Sequence, residues 1–414
     1  MNYRIIIMRT AKIAVKSVSV LLLTALLAIV ITSPSPIYRF EKPSPFTGKD
    51  IFDPYSNVLP DTKWARANFH THTRVEGLLN ECDYTPEQTL AEYRRYGYDI
   101  VAFSNHNLIT PHPESTFDVS LYEHGYGLLK YHKLTFGSKT TFGFDHLLPI
   151  FASQKQWQIA LLKQRSDLVQ LNHPLRTPTL NAEQLALLSG YDLIELDSGK
   201  STDNSYWDSA LSAGHYSFAT AGDDLHKPQR SSAIARRCTM LNMPLTHYSE
   251  YLGTESATYN ELLATLRSGA FYAMRLPDYG EGDWTIKEKR NASIPHIADI
   301  GLRSGDNIYI RLSEVADSIR FTSDRGHTVA LITNDSIASY TMQAKDSYVR
   351  ITAFMPGGEV IYSNPFARYD AISTDTPFDS SIPKISIPLT ILFNAILLLI
   401  AGLLVKAIYK LIRL

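Results

Sequence analysis

The stretch DIVAFSNHN (residues 99–107) decides the fold, because a short apolar run is followed directly by polar side chains. The segment before it, TPEQTLAEYRRYG (85–97), predicts a helix with Thr85 as N-cap, Gln88 at the capping-box position and Gly97 at the end. A helix that leads into a buried strand is the repeating unit of a parallel α/β sheet.

The same unit recurs along residues 65–275. The short apolar segments that predict strands are RANF, DIVAFS, HLLPIF, DLVQL, YDLIEL and YSFATA, and helices with start and stop signals lie between them. This alternation predicts a parallel α/β domain, either a barrel or an open sheet. From residue 276 to about residue 370 the pattern changes to short strands separated by turns, which predicts a small all-β, sandwich-like domain.

Two apolar runs, residues 13–32 and 385–405, are each long enough to cross a bilayer as a helix. Basic tails, residues 1–12 and 406–414, lie outside them, so we expect both termini in the cytoplasm and the middle of the chain on the extracytoplasmic side of an inner or plasma membrane. A cleaved signal peptide is the alternative for the first run, but the sequence after it offers no small-x-small cleavage site.

The chain between these runs carries its own composition signals. Pro-rich residues 33–64 and residues 371–384 predict tethers between membrane and domain. All 41 Asp and Glu residues lie between the runs, whereas seven of the 40 Lys and Arg residues do not, so this part is net acidic. Duplex nucleic acid is therefore not an expected partner. Cys82 and Cys238 could form one disulfide or remain two buried thiols.

Residues of the types that bind metals stand directly after the predicted strands. In parallel α/β folds the carboxyl ends of the strands meet at one face, so these side chains are expected to converge. A lone histidine there usually just hydrogen-bonds a loop, and Glu195 or Asp197 could equally cap a helix. The recurrence favours a shared metal cluster, since imidazole and carboxylate are the usual ligands of zinc, iron and manganese. Its candidate members are His70, His72, Asn105, His106, His146, His173, Glu195, Asp197, Asp223, Asp224 and His226.

The order of the motifs HTHT, SNHN, LNHP and GDDLH resembles that of the PHP (polymerase and histidinol phosphatase) family over about residues 66–275. The β region that follows resembles the C-terminal appendage of a membrane-associated subgroup. The resemblance implies a distorted (β/α)7 barrel that holds one to three divalent metal ions (Zn, Mn or Fe) and hydrolyses phosphoesters. It implies His70, His72, Glu76, His106, His173, Asp224 and His226 as metal ligands, and His146, Asp224 and His226 as catalytic residues.

Two features depart from the family pattern. Asn105 stands where the family usually has an aspartate, and an amide brings no negative charge to a metal. The bridging glutamate expected after the third strand is missing from KLTFGSKTTFGFDH (133–146), where Ser138 or Lys139 occupies the position. A carbamylated lysine, or Glu123 folding back, could replace the bridge between two cations.

The expected activity is hydrolysis of a small phosphorylated substrate by metal-activated water, on the extracytoplasmic side of the membrane. Arg176, Lys227 and Arg236 are candidate phosphate-binding residues, although each could also be ordinary surface charge. The alternative is a degenerate PHP domain that binds metal or ligand without turnover and serves as a sensor or assembly module.

Overall fold

The structure is a computed structural model, and it describes residues 2–77, 80–113, 119–126, 129–197, 204–226, 234–243, 245, 247–249, 254–256, 258–278, 284–372, 376–378 and 382–413. The α-helices of these residues are α1 (Asn2–Ile31), α2 (Pro86–Arg95), α3 (Ala152–Lys163), α4 (Ala182–Leu185), α5 (Ser205–Ser212), α6 (Tyr259–Ser268), α7 (Trp284–Asn291) and α8 (Ile387–Arg413).

The first ten strands are β1 (Tyr38–Arg39), β2 (Asp50–Phe52), β3 (Ala65–Asn68), β4 (Ile100–Val101), β5 (Leu121–His124), β6 (Lys133–Phe136), β7 (Leu168–Leu171), β8 (Leu193–Glu195), β9 (Phe218–Thr220) and β10 (Arg237–Leu241). The remaining strands are β11 (His247–Ser249), β12 (Thr254–Ser256), β13 (Phe271–Arg275), β14 (Ile297–Arg303), β15 (Asn307–Ser323), β16 (His327–Thr341), β17 (Tyr348–Phe354), β18 (Val360–Ser363), β19 (Phe366–Tyr369) and β20 (Lys384–Ile385).

The predicted distorted (β/α)7 barrel is wrong, because the described strands form open sheets. The larger sheet has the order β14-β15-β17-β18-β13-β10-β3-β4, and a second sheet has the order β5-β6-β7-β8-β9. Antiparallel pairs interrupt the parallel alternation in both sheets: β6 is antiparallel to β5 and β7, and β10 is antiparallel to β3. The segment HLLPIF (146–151), predicted as a strand, is a loop that leads into α3.

The two sheets approach each other where the polar side chains collect. One parallel bridge, between His106 and Glu123, joins the segment after β4 to β5. At the other side, the backbone N–H of Ala221 donates to Oγ1 of Thr239 (3.1 Å), so a side chain stands in for a strand partner. These contacts bring the ends of β3, β4, β5 and β9 together. Among the described residues, no continuous run of strand pairing joins the two sheets.

The predicted separate β sandwich is also wrong as an architecture. The segments NIYIRLS and SIRFTS belong to one long strand, β15, which pairs with the almost equally long β16. Strand β18 then pairs antiparallel with β13, so the C-terminal strands continue the sheet that contains β10 and β3. Strand β13 pairs with a strand on each edge and is almost wholly buried, as expected for a strand that is covered on both faces. The division of the chain into domains at residue 276 stays a prediction.

Local signals in the sequence are confirmed at several helices. Thr85 and Gln88 form the predicted capping box of α2, and Thr258 with Glu261 forms another at α6. Gly269 ends α6 with φ of 80°, a conformation that costs a glycine little. The thiols of Cys82 and Cys238 are free and buried, so the predicted alternative of two separate thiols holds.

Two helices, α1 and α8, are long and apolar enough to cross a membrane. Their apolar windows have mean hydropathies of 2.4 and 2.5, and almost none of the side chains in these windows are buried inside the protein. A soluble core helix would be buried, so both helices are candidates for spanning a membrane by their length and composition.

Candidate metal centre

Six histidines collect at the end of β3 and around its neighbours. His70 and His72 follow β3 directly, and their rings lie 5.7 Å apart between centroids. The ring of His72 lies 5.0 Å from that of His106 and 4.3 Å from that of His226. His132 and His173 complete the set, with centroids 5.2 Å apart. Because the histidines come from several loops that are distant in sequence, the cluster exists only in the folded chain.

Glu123 on β5 lies at the centre of these histidines and is fully buried. Its Oε1 lies 3.2 Å from Nε2 of His70, 3.2 Å from Nδ1 of His132 and 3.3 Å from Nε2 of His173. Its Oε2 lies 3.4 Å from Nε2 of His72 and 3.5 Å from Nε2 of His106. One carboxylate therefore reaches every histidine of the set except His226.

The cluster contains three groups of possible ligands. Within each group the ligand atoms lie within 4.8 Å of one another, and any two groups have one residue in common. Group A contains His70, His72, Glu123 and Asp224; group B contains His72, Glu81, His106 and His226; group C contains His106, Glu123 and His132. Two cations held in groups A and C would share the carboxylate of Glu123, whereas His72 and His106 would each bind one cation.

The donor atoms themselves fit a cation. Nε2 of His70 and Oε2 of Glu123 are buried, and neither has a hydrogen-bond partner among the described residues. A buried polar atom without a partner costs free energy unless a ligand satisfies it. Imidazole nitrogens together with carboxylate oxygens are the donor set of zinc, iron and manganese sites.

Charges within the cluster oppose the effect of burial on the pKa values of its members. Burial lowers the pKa of His70, but the carboxylates of Glu195, Glu123 and Asp224 outweigh it and hold this pKa well above its ordinary value. Burial raises the pKa of Glu123, yet the charges of His70 and His132 keep it well below its ordinary value. The carboxylates around His70 therefore favour a positive charge at this position, which is the charge that a bound cation would supply.

Glu195, at the end of β8, holds His70 in place. Its Oε1 accepts a hydrogen bond from Nδ1 of His70 (2.8 Å), which leaves Nε2 facing Glu123 and Asp224. Its Oε2 accepts the backbone N–H of His173 (3.0 Å). A carboxylate behind a ligating histidine fixes the ring orientation and raises its basicity.

Most of the predicted ligands lie in this cluster. His70, His72, His106, His173, Asp224 and His226 all take part, and the backbones of His173 and Asp224 have positive φ (29° and 50°). Such strained conformations are typical of functional sites, where the surrounding structure enforces them. Glu76 is exposed and belongs to none of the three groups, whereas Glu81 contacts His106 and His226 at 3.1 and 3.0 Å.

His146, predicted to be catalytic, lies outside the cluster. Its Nδ1 bonds the carbonyl oxygen of Thr32 (2.6 Å), and its ring packs 5.5 Å from that of Trp157. His132 lies next to Glu123 instead, and it was not among the residues predicted from the sequence. His132 precedes β6 directly, and because no strand was predicted at Lys133–Phe136, no sequence signal identified it.

Asn105 is part of the scaffold around the cluster. Its Oδ1 accepts the backbone N–H of Thr73 (2.8 Å), and its Nδ2 donates to the hydroxyls of Thr73 and Thr110 (2.7 and 2.6 Å). The amide therefore ties the loop after His72 to the segment after β4. An aspartate could not donate these two hydrogen bonds.

The three predicted phosphate-binding residues have different surroundings. Arg176 forms an ion pair with Asp224 and so lies at the edge of group A. Arg236 points elsewhere, with Nη2 3.2 Å from Oδ2 of Asp278. Lys227 lies outside the described residues. Asp197, a candidate at the end of β8, pairs with Arg237 and Arg275 instead of a cluster member.

We expect Glu195→Gln to weaken metal binding by about 10–100-fold, because the amide removes the charge that orients and polarises His70. The measurement is metal affinity by competition with a chromogenic chelator. Glu314→Gln, on the distant strand β15, is the matched control and should leave affinity unchanged. An unchanged affinity in Glu195→Gln would remove this residue from the centre.

No protein-family model matches this chain, and no curated protein matches it. The function proposed for it depends on the residues of the cluster and their surroundings.

Proposed function

We propose that this chain is a membrane-held, metal-dependent phosphoesterase of PHP type. The observation that carries the proposal is the position of Glu123, which belongs to both group A and group C. A carboxylate between two sets of histidines supplies the bridge that the segment 133–146 lacks. Asn105, the other departure from the family pattern, is fully engaged in scaffold hydrogen bonds.

Divalent cations bound in such a site lower the pKa of a water molecule and neutralise charge on a phosphoryl group. The chain's own residues supply the rest. Arg176 lies next to Asp224, where its guanidinium would bind phosphate oxygens bidentately. Among the group members, His226 and Glu81 are the most exposed, with side-chain exposures of 32% and 40%. Substrate would enter from their side.

The activity test compares phosphomonoesters and diesters as substrates, with added Mn²⁺ or Zn²⁺, for the purified full-length chain in detergent. We expect metal-dependent hydrolysis that a chelator abolishes and that His72→Ala lowers by at least about 10³-fold, the effect of removing several kcal/mol of charge stabilisation. Bound metal without hydrolysis of any substrate would support the binding-module alternative. Absence of both metal and hydrolysis would reject a metal centre altogether.

The cytoplasmic location of both termini belongs to the same proposal and is supported by the basic residues beyond each apolar run. Alkaline phosphatase, which is active only outside the cytoplasm, reports the location when fused after residue 60. We expect an active fusion. An inactive fusion, with an active cytoplasmic reporter at the same site, would place the metal centre in the cytoplasm.

A further inference from the structure

The two membrane helices run side by side in opposite directions. Near the C-terminal end of α8, the carbonyl oxygen of Ile412 accepts a hydrogen bond from Nζ of Lys16, midway along α1 (3.4 Å). At the other end, Nδ2 of Asn394 donates to the carbonyl oxygen of Ser35 (3.0 Å). The end of α1 and the beginning of α8 therefore emerge together on one side of the membrane, and the β1–β20 pair continues directly from them.

These helix ends are fixed to the folded domain rather than joined to it by a loose tether. Three hydrogen bonds connect the segment after α1 to the beginning of α3 and the loop before it. They are Tyr38 N to Ser153 Oγ (3.1 Å), Gln154 Nε2 to Ser33 O (3.2 Å) and His146 Nδ1 with Thr32 O (2.6 Å). The domain consequently has one preferred orientation on the membrane.

The beginning of α3 lies at the same end of the five-stranded sheet as the metal ligands. Thr179, in the loop after β7, accepts a hydrogen bond on its carbonyl oxygen from Lys155 of α3 (3.0 Å) and donates its hydroxyl to Pro149 O (3.0 Å). The loop that leaves the carboxyl end of β7 also carries His173. The membrane helices are thus attached at the face where the carboxyl ends of the strands, and the metal ligands, are found.

A short path of contacts runs from the metal ligands to the membrane helix. His124, the neighbour of Glu123, bonds the carbonyl oxygen of Phe144 through Nε2 (2.9 Å). Two residues further along, His146 bonds Thr32, directly after α1. The strand that carries Glu123 is therefore linked through two side-chain hydrogen bonds to the residue that follows α1.

Exposed apolar side chains lie at the same place. Ile150 and Phe151, in the loop before α3, are 46% and 53% exposed, and the ring of Phe151 lies 6.0 Å from that of Phe393 on α8. Apolar side chains next to a membrane helix bury themselves in the interface between headgroups and acyl chains. They would hold this face of the domain against the bilayer.

We infer that the metal-binding face of the domain is turned toward the bilayer and that its substrate is a phosphoester carried on a lipid headgroup. This inference rests on the proposed phosphoesterase function and adds the class of substrate. A lipid phosphate needs no diffusion from bulk solution to reach Arg176 and the cluster, whereas a soluble phosphoester has to enter between the domain and the membrane.

The test uses the full-length chain in phosphatidylcholine vesicles that contain phosphatidic acid or phosphatidylglycerol, with glycerol 3-phosphate and p-nitrophenyl phosphate as soluble substrates. We expect one of the two lipids to be hydrolysed at least about tenfold faster than either soluble substrate. Ile150→Asp should lower lipid hydrolysis by about tenfold and leave the slow soluble reaction within about twofold, because it affects only contact with the bilayer. Leu331→Asp, at a 56% exposed position on β16, is the matched control.

Soluble substrates hydrolysed as fast as the lipids, or lipid hydrolysis unchanged in Ile150→Asp, would overturn the inference. If none of the four substrates is hydrolysed, the phosphoesterase proposal fails, and orientation is then measured by itself. Mn²⁺ added to the chain in lipid nanodiscs should broaden the ³¹P resonance of the headgroups, and His72→Ala should remove that broadening. No broadening beyond that of His72→Ala would show that the metal centre is remote from the lipids.

Discussion

Glu123→Gln is expected to lower phosphoester hydrolysis by at least about 10³-fold and to reduce the number of bound cations. The substitution keeps the size of the side chain but removes the negative charge that group A and group C share. Two cations in groups A and C would then repel each other without the negative charge that offsets their repulsion. Initial rates with saturating Mn²⁺, together with metal content by mass spectrometry, measure both effects.

Glu76→Gln is the matched control for this experiment. The family resemblance predicts Glu76 as a ligand, whereas the structure places it in an exposed position outside the three groups. Its substitution should change the rate by less than about twofold, in line with ordinary surface positions. The reverse outcome, a large loss in Glu76→Gln and none in Glu123→Gln, would contradict the described arrangement.

Gly222→Ala is expected to disrupt the contact between His70 and Glu195 that supports the metal centre. A Cβ atom at this position would lie 2.6 Å from Cβ of His70 and 2.9 Å from Oε1 of Glu195. Both contacts are far too short, so His70 and Glu195 would have to separate. Overpacking of this kind lowers the free energy of unfolding by about 1–3 kcal/mol. Loss of the support from Glu195 should weaken metal binding by about 100-fold.

Thermal unfolding with and without metal measures the two effects of Gly222→Ala together. The matched control is Gly143→Ala, where the nearest atom to an added Cβ would be Oη of Tyr126 at 3.9 Å. This variant should stay within about 0.5 kcal/mol of the unchanged protein. If Gly222→Ala binds metal as tightly as Gly143→Ala, then the contact between His70 and Glu195 does not support the site.

The sequence predicted the histidine cluster well because its signals are local. Each predicted ligand directly follows a short apolar run, and strand ends in α/β proteins meet wherever the strands share a direction. Strand β5 gave no comparable signal, because Glu123 lies inside a buried strand and reaches the cluster only through its bridge to His106. Its chemistry depends on a pairing between distant segments, which local patterns do not encode.

The error in fold class has a similar origin. Apolar runs identify strands, but their direction depends on the connections between them, and the β5–β6 hairpin reverses the direction that helical crossovers would maintain. Glu76, predicted as a ligand, lies outside the three groups for a related reason. The path of the loop after His72 is set by contacts such as Arg74 N to Tyr84 O, and this path brings Glu81 to the histidines instead.

The most direct test of the central proposal is a crystal structure of the chain grown with Mn²⁺ or Zn²⁺, with anomalous scattering recorded at the absorption edge of the metal. We expect at least two anomalous peaks, with Glu123 ligating both cations at about 2.0–2.2 Å. Peaks that avoid Glu123, or no peak among His70, His72 and His106, would contradict a shared metal centre.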